Sequence, residues 1–384
     1  MFWGAHAWFT WWCDYNLMRK LLVCGIIAFI SLLYQKRNKI ILLSNSRIVC
    51  LFLLFVIAGQ FKSHISVTAL LRECLMFIPI WVLLSDSKQR ILQHTKFVIR
   101  VLSIILTIGL VEFLVLNFID IPGFPIVYGE NTSNYVFLNY IFYINNIGEA
   151  AGLREVIRFD SIFLEPGYMS ALLVFLLYAI KFKASNFEKG VIIISLFLSF
   201  SLAGYLMFIF AYFFINMVNN KRMWYIIPFV VSLFLCYKIA ISYNGGNNLV
   251  NHMIIERLEY DSENIISGNN RVSKVTDRYF EEGMKNGDNI LGLGVERVTI
   301  LNRGSANTFE HTNIAGTGIV YYIVVYGFVS AFFFLLFYLC LGQFGRDKRY
   351  AFFFVLLVIS CFIQSSYPDS FSWILPFSLG IKLT

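Results

Sequence analysis

Long apolar runs, separated by short charged connectors, are the feature that most constrains how this chain can fold. Of its 384 residues, 58% are hydrophobic and 14% are charged, whereas a soluble domain carries about 25% charged residues. A helical run of about 17 to 25 apolar residues covers the hydrocarbon core of a bilayer. Within lipid every backbone N–H and C=O must be bonded inside the chain, so such runs are helices. The sequence therefore predicts an all-α, polytopic integral membrane protein.

The apolar runs predict eleven membrane spans, and a twelfth is left open at the N-terminus. The aromatic segment 1–15 is either a further span or an interfacial segment, because Trp side chains are favoured at membrane–water interfaces. The predicted spans lie near residues 20–35, 47–61, 65–85, 97–118, 161–181, 190–202, 203–218, 223–242, 314–340, 351–366 and 369–382.

Lysine and arginine indicate which connectors face the cytoplasm, because short cytoplasmic loops are enriched in them. Successive connectors lie on opposite sides of the membrane, which places two longer polar stretches, 119–160 and 243–313, on the extracytoplasmic side. The net charge of +8 is distributed over the connectors, so we interpret it as a topology signal and expect no nucleic-acid partner. The basic clusters occupy every second connector, at residues 36–39, 88–96, 181–189, 221–222 and 346–349.

This pattern divides the chain into five parts. In the larger loop, Asn269 and Asn270 are suited to cap an amphipathic helix that continues through Val275, Tyr279 and Met284. The five parts are the N-terminal spans (1–118), the first extracytoplasmic loop (119–160), the central spans (161–242), the large extracytoplasmic loop (243–313) and the C-terminal spans (314–384).

A first candidate cluster runs from Arg158 to Gly167, where a charged stretch enters a span. Pro166 suits the first turn of a helix, and the helix dipole favours Glu165 just before it. One interpretation is an ordinary helix cap at the interface. The other is a functional site, since a carboxylate and an arginine at the head of an apolar span are costly without partners.

Two further clusters follow along the chain. Small and hydroxylated residues at 195–205 join two short spans, and we favour a packing role for them. The third cluster begins with Arg271 and Arg278, continues through a Gly-x-Gly at Gly292, and ends at His311, before the next span. Solvated loop arginines and an interfacial histidine without a role are the alternatives here.

Recognisable motifs for nucleotide hydrolysis, zinc chemistry and serine hydrolysis are absent from the sequence, so we expect neither a metal nor another cofactor. The remaining candidates are arginines, a carboxylate and a histidine on the extracytoplasmic side. Arginine is suited to a phosphate or diphosphate because the planar guanidinium matches its oxygens and stays charged.

The order of these clusters resembles the bacterial O-antigen polymerase family and, more distantly, the O-antigen ligases. The resemblance covers residues from about 150 to 330 and the many-span layout, which in this family is a GT-C-like glycosyltransferase fold. Ligases typically carry an arginine directly after the serine at the span junction, whereas here Leu202 follows Ser201. This departure favours the polymerase.

The resemblance implies transfer of a glycan from undecaprenyl diphosphate to a hydroxyl of another lipid-linked repeat unit. The reaction would take place at the outer face of the inner membrane without a metal, with membrane lipids and a chain-length regulator protein as further partners. Arg158, Arg271 and Arg278 are the candidates for binding the diphosphate. His311 is the first candidate for the base, because its unperturbed pKa lies near neutrality, and Glu165 is the alternative base or the group that orients an arginine.

Two rival functions stay open. A ligase would deliver the glycan to the lipid A core. A flippase or transporter for lipid-linked sugars would place charges along a path through several spans and would lack a long outer loop. The charges predicted inside the membrane, Arg72, Glu73 and Glu112, are few and lie in the first third of the chain.

The topology is testable with a cysteine introduced at Asn286, in a background from which the seven native cysteines have been removed. A membrane-impermeant thiol reagent added to whole cells should label this cysteine, because the 243–313 loop is predicted to face away from the cytoplasm. A cysteine at Lys39 is the matched control and should react only after the membrane is opened. Labelling of the Asn286 position from the cytoplasm alone would place the candidate site in the wrong compartment.

Overall fold

The computed structural model shows a mostly helical protein. It describes residues 7–13, 16–60, 67–116, 118–119, 121–128, 135–146, 158–220, 238, 242, 274–305, 314, 318–364 and 371–384. The α-helices within these residues are α1 (Leu17–Arg37), α2 (Ser46–Gln60), α3 (Val67–Ser85), α4 (Lys88–Leu116), α5 (Pro166–Ala179), α6 (Asn186–Leu198), α7 (Leu202–Asn220), α8 (Lys274–Asn286), α9 (Val295–Ser305), α10 (Ile319–Gly342), α11 (Lys348–Gln364) and α12 (Phe371–Leu383).

Ten of the eleven predicted spans coincide with one of these helices, which confirms their helical nature. The remaining span, 223–242, falls outside the described residues except for Lys238 and Ser242. By length and composition, α1, α4 and α10 are able to cross a membrane, and the shorter helices α2, α5, α7 and α12 are also apolar. These helices indicate a membrane-associated protein.

Helix α5 is the central helix of the bundle. Twelve of its fourteen residues are buried, as expected for a helix that is apolar on every side. It begins at Pro166, five residues after the start of the predicted span at 161, because proline has a fixed φ and no N–H and therefore favours the first helical position. The residues before Pro166 are consequently not part of the helix, and Glu165 stands at its head.

Four of the five connectors predicted to be cytoplasmic lie together at one end of the bundle, and the fifth, at residues 221–222, lies outside the described residues. Lys382, near the end of α12, donates from Nζ to the carbonyl of Leu84 near the end of α3, at 2.8 Å. The hydroxyl of Tyr178, in the last turn of α5, donates to the carbonyl of Tyr350 in the first turn of α11, at 3.0 Å. We call this end of the bundle the basic end. It comprises the connectors 38–45, 86–87, 180–185 and 343–347 and residue 384.

A small antiparallel sheet lies in the first predicted extracytoplasmic loop. Its strands β1 (Phe124–Tyr128), β2 (Tyr135–Asn139) and β3 (Ile144–Asn146) pair in the order β1-β2-β3. The all-α prediction therefore holds for the apolar runs but does not extend to this polar stretch. The physical reason is that the hydrocarbon core, which forces a chain to be helical, does not act on segments outside it.

The described part of the N-terminus is a 3-10 helix, Trp8–Cys13, that packs beside this sheet. Its six residues span about 12 Å at the 3-10 rise, well short of the roughly 30 Å hydrocarbon core. The backbone N–H of Trp8 donates to the carbonyl of Ile162 at 2.9 Å, and the rings of Trp11 and Phe137 lie 5.0 Å apart. Residues 7–13 are thus a loop-packing segment and do not form a twelfth span.

The larger predicted loop contains the expected amphipathic helix. Helix α8 confirms it from Lys274 onward, whereas the proposed capping residues Asn269 and Asn270 lie outside the described residues. Its Val275 and Tyr279 pack against a buried cluster that includes Val324 of α10. A 3-10 turn and the further helix α9 follow, so residues 274–305 of this loop form a folded unit seated on α10.

Helix α10 is broken at Gly327, whose φ of 85° and ψ of 166° lie outside the helical region. Such a break deprives the preceding carbonyls of their intrahelical partners. The N–H groups of Leu293 and Gly294 supply new ones, because they donate to the carbonyls of Val324 and Val325, each at 2.8 Å. The Gly-x-Gly segment, which the sequence marked only as a break in the chain, is therefore the point where the loop docks on α10.

Two glycines let the loop backbone cross the backbone of α10 at contact distance. Gly292 and Gly327 have φ values of 72° and 85°, a region that side chains with a Cβ rarely adopt. A Cβ added to Gly292 would lie 2.5 Å from the nitrogen of Gly327, and one added to Gly327 would lie 2.6 Å from the nitrogen of Gly292. Neither position has room for a side chain.

Gly327→Ala should therefore lower the stability of the purified protein by about 2 to 4 kcal/mol, through backbone strain and overpacking. Thermal unfolding in detergent micelles would measure the change. Gly25→Ala is the matched control, since a Cβ at Gly25 meets nothing within 4 Å and alanine favours the helix. Equal melting temperatures for the Gly327 variant and the wild type would contradict the proposed crossing.

Candidate functional site

The structure joins the first two sequence clusters through Arg158. Its Nε donates to the carbonyl of Ser199 at 3.0 Å and its Nη2 donates to the carbonyl of Phe200 at 3.1 Å. The next residue, Phe159, donates its N–H to the carbonyl of Leu198 at 3.0 Å. Carbonyls at the end of a helix have no intrahelical donor, so this segment completes the hydrogen bonding at the end of α6.

The junction between α6 and α7 is a tight turn built from buried hydroxyl groups. The hydroxyl of Ser170 on α5 donates to the hydroxyl oxygen of Ser199 at 3.1 Å, and the Ser199 oxygen also accepts the N–H of Ser201 at 3.2 Å. Ser201 in turn accepts the N–H of Gly204 in the first turn of α7, at 3.2 Å. A Cβ on Gly204 would lie 2.5 Å from the Cβ of Ser170. These contacts bear out the packing role predicted for the junction.

Glu165 occupies the N-cap position of α5. Its φ of −142° and ψ of 148° are extended, its side chain forms no capping hydrogen bond, and it is exposed. Its carbonyl accepts the first helical N–H groups, from Tyr168 at 3.1 Å and Met169 at 3.3 Å. The carboxylate therefore stands at the N-terminal end of the central helix, on an exposed side chain.

The segment between Arg158 and Glu165 is hydrogen-bonded to the turn that precedes β3. The hydroxyl of Ser161 donates to the carbonyl of Phe142 at 3.0 Å, and the N–H of Ile144 donates to the carbonyl of Ser161 at 2.9 Å. The N–H of Phe142 donates to Glu112 Oε2 at 3.1 Å. Glu112, which the sequence marked as a charge inside the membrane, thus binds loop backbone near the end of α4.

Tyr143 and Asp160 are buried polar residues at this site that the sequence analysis did not single out. The ring of Tyr143 stacks on those of Tyr140 and Phe159, each at 6.1 Å. Burial raises the pKa of the Tyr143 phenol, and the nearby carboxylate of Asp160 raises it further. Burial of both groups depends on contacts between residues 140–146 and residues 158–163, so no local sequence signal identifies them.

Arg278 lies on a different element, helix α8 of the larger loop. It forms an ion pair with Glu282 of its own helix at 3.9 Å, and the two side chains are 66% and 58% exposed. Its guanidinium lies 5.9 Å from the ring centroid of Tyr279. On the same helix, burial and the charge of Glu281 raise the pKa of Asp277. The electrostatic environment of Arg278 is that of a solvated helix face.

Of the five predicted site residues, the structure describes Arg158, Glu165 and Arg278, whereas Arg271 and His311 lie outside the described residues. Arg158 and Glu165 flank one buried segment at the end of the bundle opposite the basic end. Within the residues that are described, no group of three His, Cys, Asp or Glu side chains is arranged to hold a metal ion.

Fold and site together define a mostly helical, membrane-associated protein with a polar site where buried segments meet the heads of its helices. Comparison of the chain with protein-family models, with curated proteins and with solved structures finds no match.

The contacts of Arg158 predict that Arg158→Gln destabilises the protein by about 1 to 3 kcal/mol, because carbonyls at the end of α6 lose their donors. Arg278→Gln removes the same charge from an exposed ion pair, and its effect should stay within about 1 kcal/mol. Thermal unfolding of both variants in the same detergent compares them directly. Equal melting temperatures would contradict the capping role of Arg158.

Proposed function

We propose that this protein is a membrane glycosyltransferase that polymerises lipid-linked oligosaccharide repeat units into a bacterial surface polysaccharide. It acts on undecaprenyl-diphosphate substrates at the outer face of the inner membrane, as a polytopic protein with about eleven spans. One observation carries the proposal. Arg158 and the serine junction, which are separate in the sequence, are hydrogen-bonded at the bundle end opposite the basic connectors, and Glu165 lies at the head of α5 at that same end.

The reaction requires an acceptor hydroxyl, a base and positive charge beside the leaving diphosphate. The hydroxyl oxygen of the acceptor sugar attacks the anomeric carbon of the donor, the bond from that carbon to the diphosphate oxygen breaks, and the hydroxyl proton passes to a base. The diphosphate leaves with the bonding electrons, so positive charge near its oxygens lowers the barrier. An accessible carboxylate at a helix head and arginines on the larger loop are suited to these roles.

Arg158 and Arg278 have different contacts, which support different roles for them. Arg158 commits two of its N–H groups to backbone carbonyls and thereby positions the segment that leads to Glu165. Arg278 is paired only weakly, because exposed ion pairs contribute about 0 to 1 kcal/mol. A diphosphate, with its higher charge, would readily replace Glu282 as its partner. We therefore assign diphosphate binding to Arg278 with Arg271, and positioning to Arg158.

Glu165 is the described candidate for the base. Its carboxylate is exposed at the positive end of α5, and its backbone is fixed by the first turn of that helix. His311, the first candidate from the sequence, precedes α10 in the chain and lies outside the described residues. Helices α5 and α10 both begin at the end of the bundle opposite the basic end.

One observation favours the rival transporter function, namely the break in α10. Broken helices in transporters use freed carbonyls to coordinate ions. Here the carbonyls of Val324 and Val325 are occupied by loop N–H groups. The charged pair in α3 is formed by the neighbouring residues Arg72 and Glu73, which bind each other. These contacts support a structural origin for the break and favour the polymerase over the transporter.

A strain that lacks the gene should carry a surface glycan one repeat unit long on an otherwise capped lipid core. Gel electrophoresis of the lipopolysaccharide measures this length. Complementation with Glu165→Gln or His311→Ala should leave the glycan at one unit while the protein stays in the membrane at normal abundance. Glu281→Gln, which removes an exposed carboxylate of α8, is the matched control and should restore long chains.

The same gel distinguishes the rival functions. Bare lipid core together with accumulated lipid-linked polymer would identify a ligase, and complete absence of surface glycan would identify a flippase. Wild-type chain lengths from both the Glu165 and the His311 variants would remove the assignment of the base. Loss of chains together with loss of the protein from the membrane would assign these residues a folding role.

A further inference from the structure

The basic end holds lysine side chains that are partly buried between helix ends. Lys88, the first residue of α4, donates from Nζ to the carbonyl of Thr384 at 3.4 Å. Lys382 of α12 donates from Nζ to the carbonyl of Leu84 at 2.8 Å. Lys36, in the last turn of α1, is by contrast exposed. The partly buried side chains of Lys88 and Lys382 lie where α3 and α12 end and α4 begins.

A third lysine lies at the same end of the bundle, in the turn after α5. The ammonium of Lys181 lies 3.5 Å from the centroid of the Tyr350 ring, and the hydroxyl of Tyr178 holds the backbone of Tyr350. Lys181 and Phe182 both have left-handed backbones, with φ values of 55° and 56°. Such conformations are strained for residues with a Cβ and persist only where the surroundings enforce them. The fold therefore fixes the position of Lys181.

Cations outnumber anions in this cluster. Lys88 interacts electrostatically with Lys181, Lys382 and Arg346, and the carboxylate of Asp347 acts on Lys88 and Lys181. Burial lowers the pKa of Lys181, and repulsion by Lys88 lowers it further. Counting a carboxylate at Thr384 as well, the cations still exceed the anions.

A second carboxylate near the cluster is already engaged. Asp86 pairs with Arg90 at 2.7 Å and accepts the hydroxyl of Tyr34 at 2.7 Å. Its charge is balanced by that of Arg90, although its attraction for Lys382 is stronger than the repulsion of Lys382 by Lys88. Like charges held close together in a partly desolvated place repel strongly unless an anion lies between them.

We propose that Lys88, Lys181 and Lys382 form a binding site for the phosphate group of an anionic phospholipid. Each ammonium has three N–H donors, and the hydrogen bonds above occupy one donor of Lys88 and one of Lys382. The site lies at the ends of apolar helices, at the level where lipid headgroups lie if the bundle spans the membrane. Basic pockets between helix ends on the cytoplasmic side are suited to such headgroups.

Titration of the purified full-length protein with lipid, followed by native mass spectrometry, tests the site. Phosphatidylglycerol should bind the wild type, whereas phosphatidylcholine with the same acyl chains and inorganic phosphate should bind much more weakly. Combined Lys88→Gln, Lys181→Gln and Lys382→Gln substitution should weaken phosphatidylglycerol binding about a hundredfold, since each lysine near a lipid surface contributes about fivefold. Should this variant not fold, Lys181→Gln alone should weaken binding about fivefold.

The matched control removes the same charge from the exposed lysines Lys36, Lys39 and Lys183, and it should leave binding unchanged. Equal losses in the control would show that the basic end attracts lipid only through its total charge and would overturn the proposal. Equal binding of phosphatidylcholine, or binding of inorganic phosphate as tight as that of phosphatidylglycerol, would also overturn it. The assay is independent of the glycan, so its outcome does not depend on the proposed polymerase activity.

Discussion

The need of every buried backbone carbonyl and N–H for a partner governs this structure at the places where its helices stop or break. Within a helix these groups satisfy each other, but at its end the last carbonyls have no donor. The guanidinium of Arg158 supplies donors at the end of α6, and the N–H groups of Leu293 and Gly294 supply them at the break in α10. Because the donors come from distant segments, the bonds that complete the helices also fix the loops.

This constraint explains why the candidate site lies where it does. The segment after Arg158 is bonded on one side to the junction of α6 and α7 and on the other to the turn that Glu112 holds. It leads directly to Glu165 at the head of the most buried helix. An exposed carboxylate is thus carried on a segment of the chain that is hydrogen-bonded on both sides.

The sequence predicted the helices well because an apolar run in lipid has one solution, and it predicted their starts well where a local signal such as Pro166 exists. It did not predict the sheet at 124–146, where water relieves the constraint, or the buried positions of Tyr143 and Asp160, which depend on contacts between distant segments. Arg158 shows how far the candidate site could be predicted from the sequence. Its residue type and location were compatible with a ligand for diphosphate, but only the structure reveals the carbonyls that it caps.

The docking of the loop on α10 also sets an order of events during synthesis of the chain. The N–H groups of Leu293 and Gly294 pair with carbonyls about thirty residues further along, and Gly292 rests against Gly327. A ribosome adds residues from the N-terminus, so α8 and α9 are complete before the surface that seats them exists. The segment of α8 and α9 therefore acquires its anchor only when α10 is in place, and a chain arrested before Gly327 would lack it.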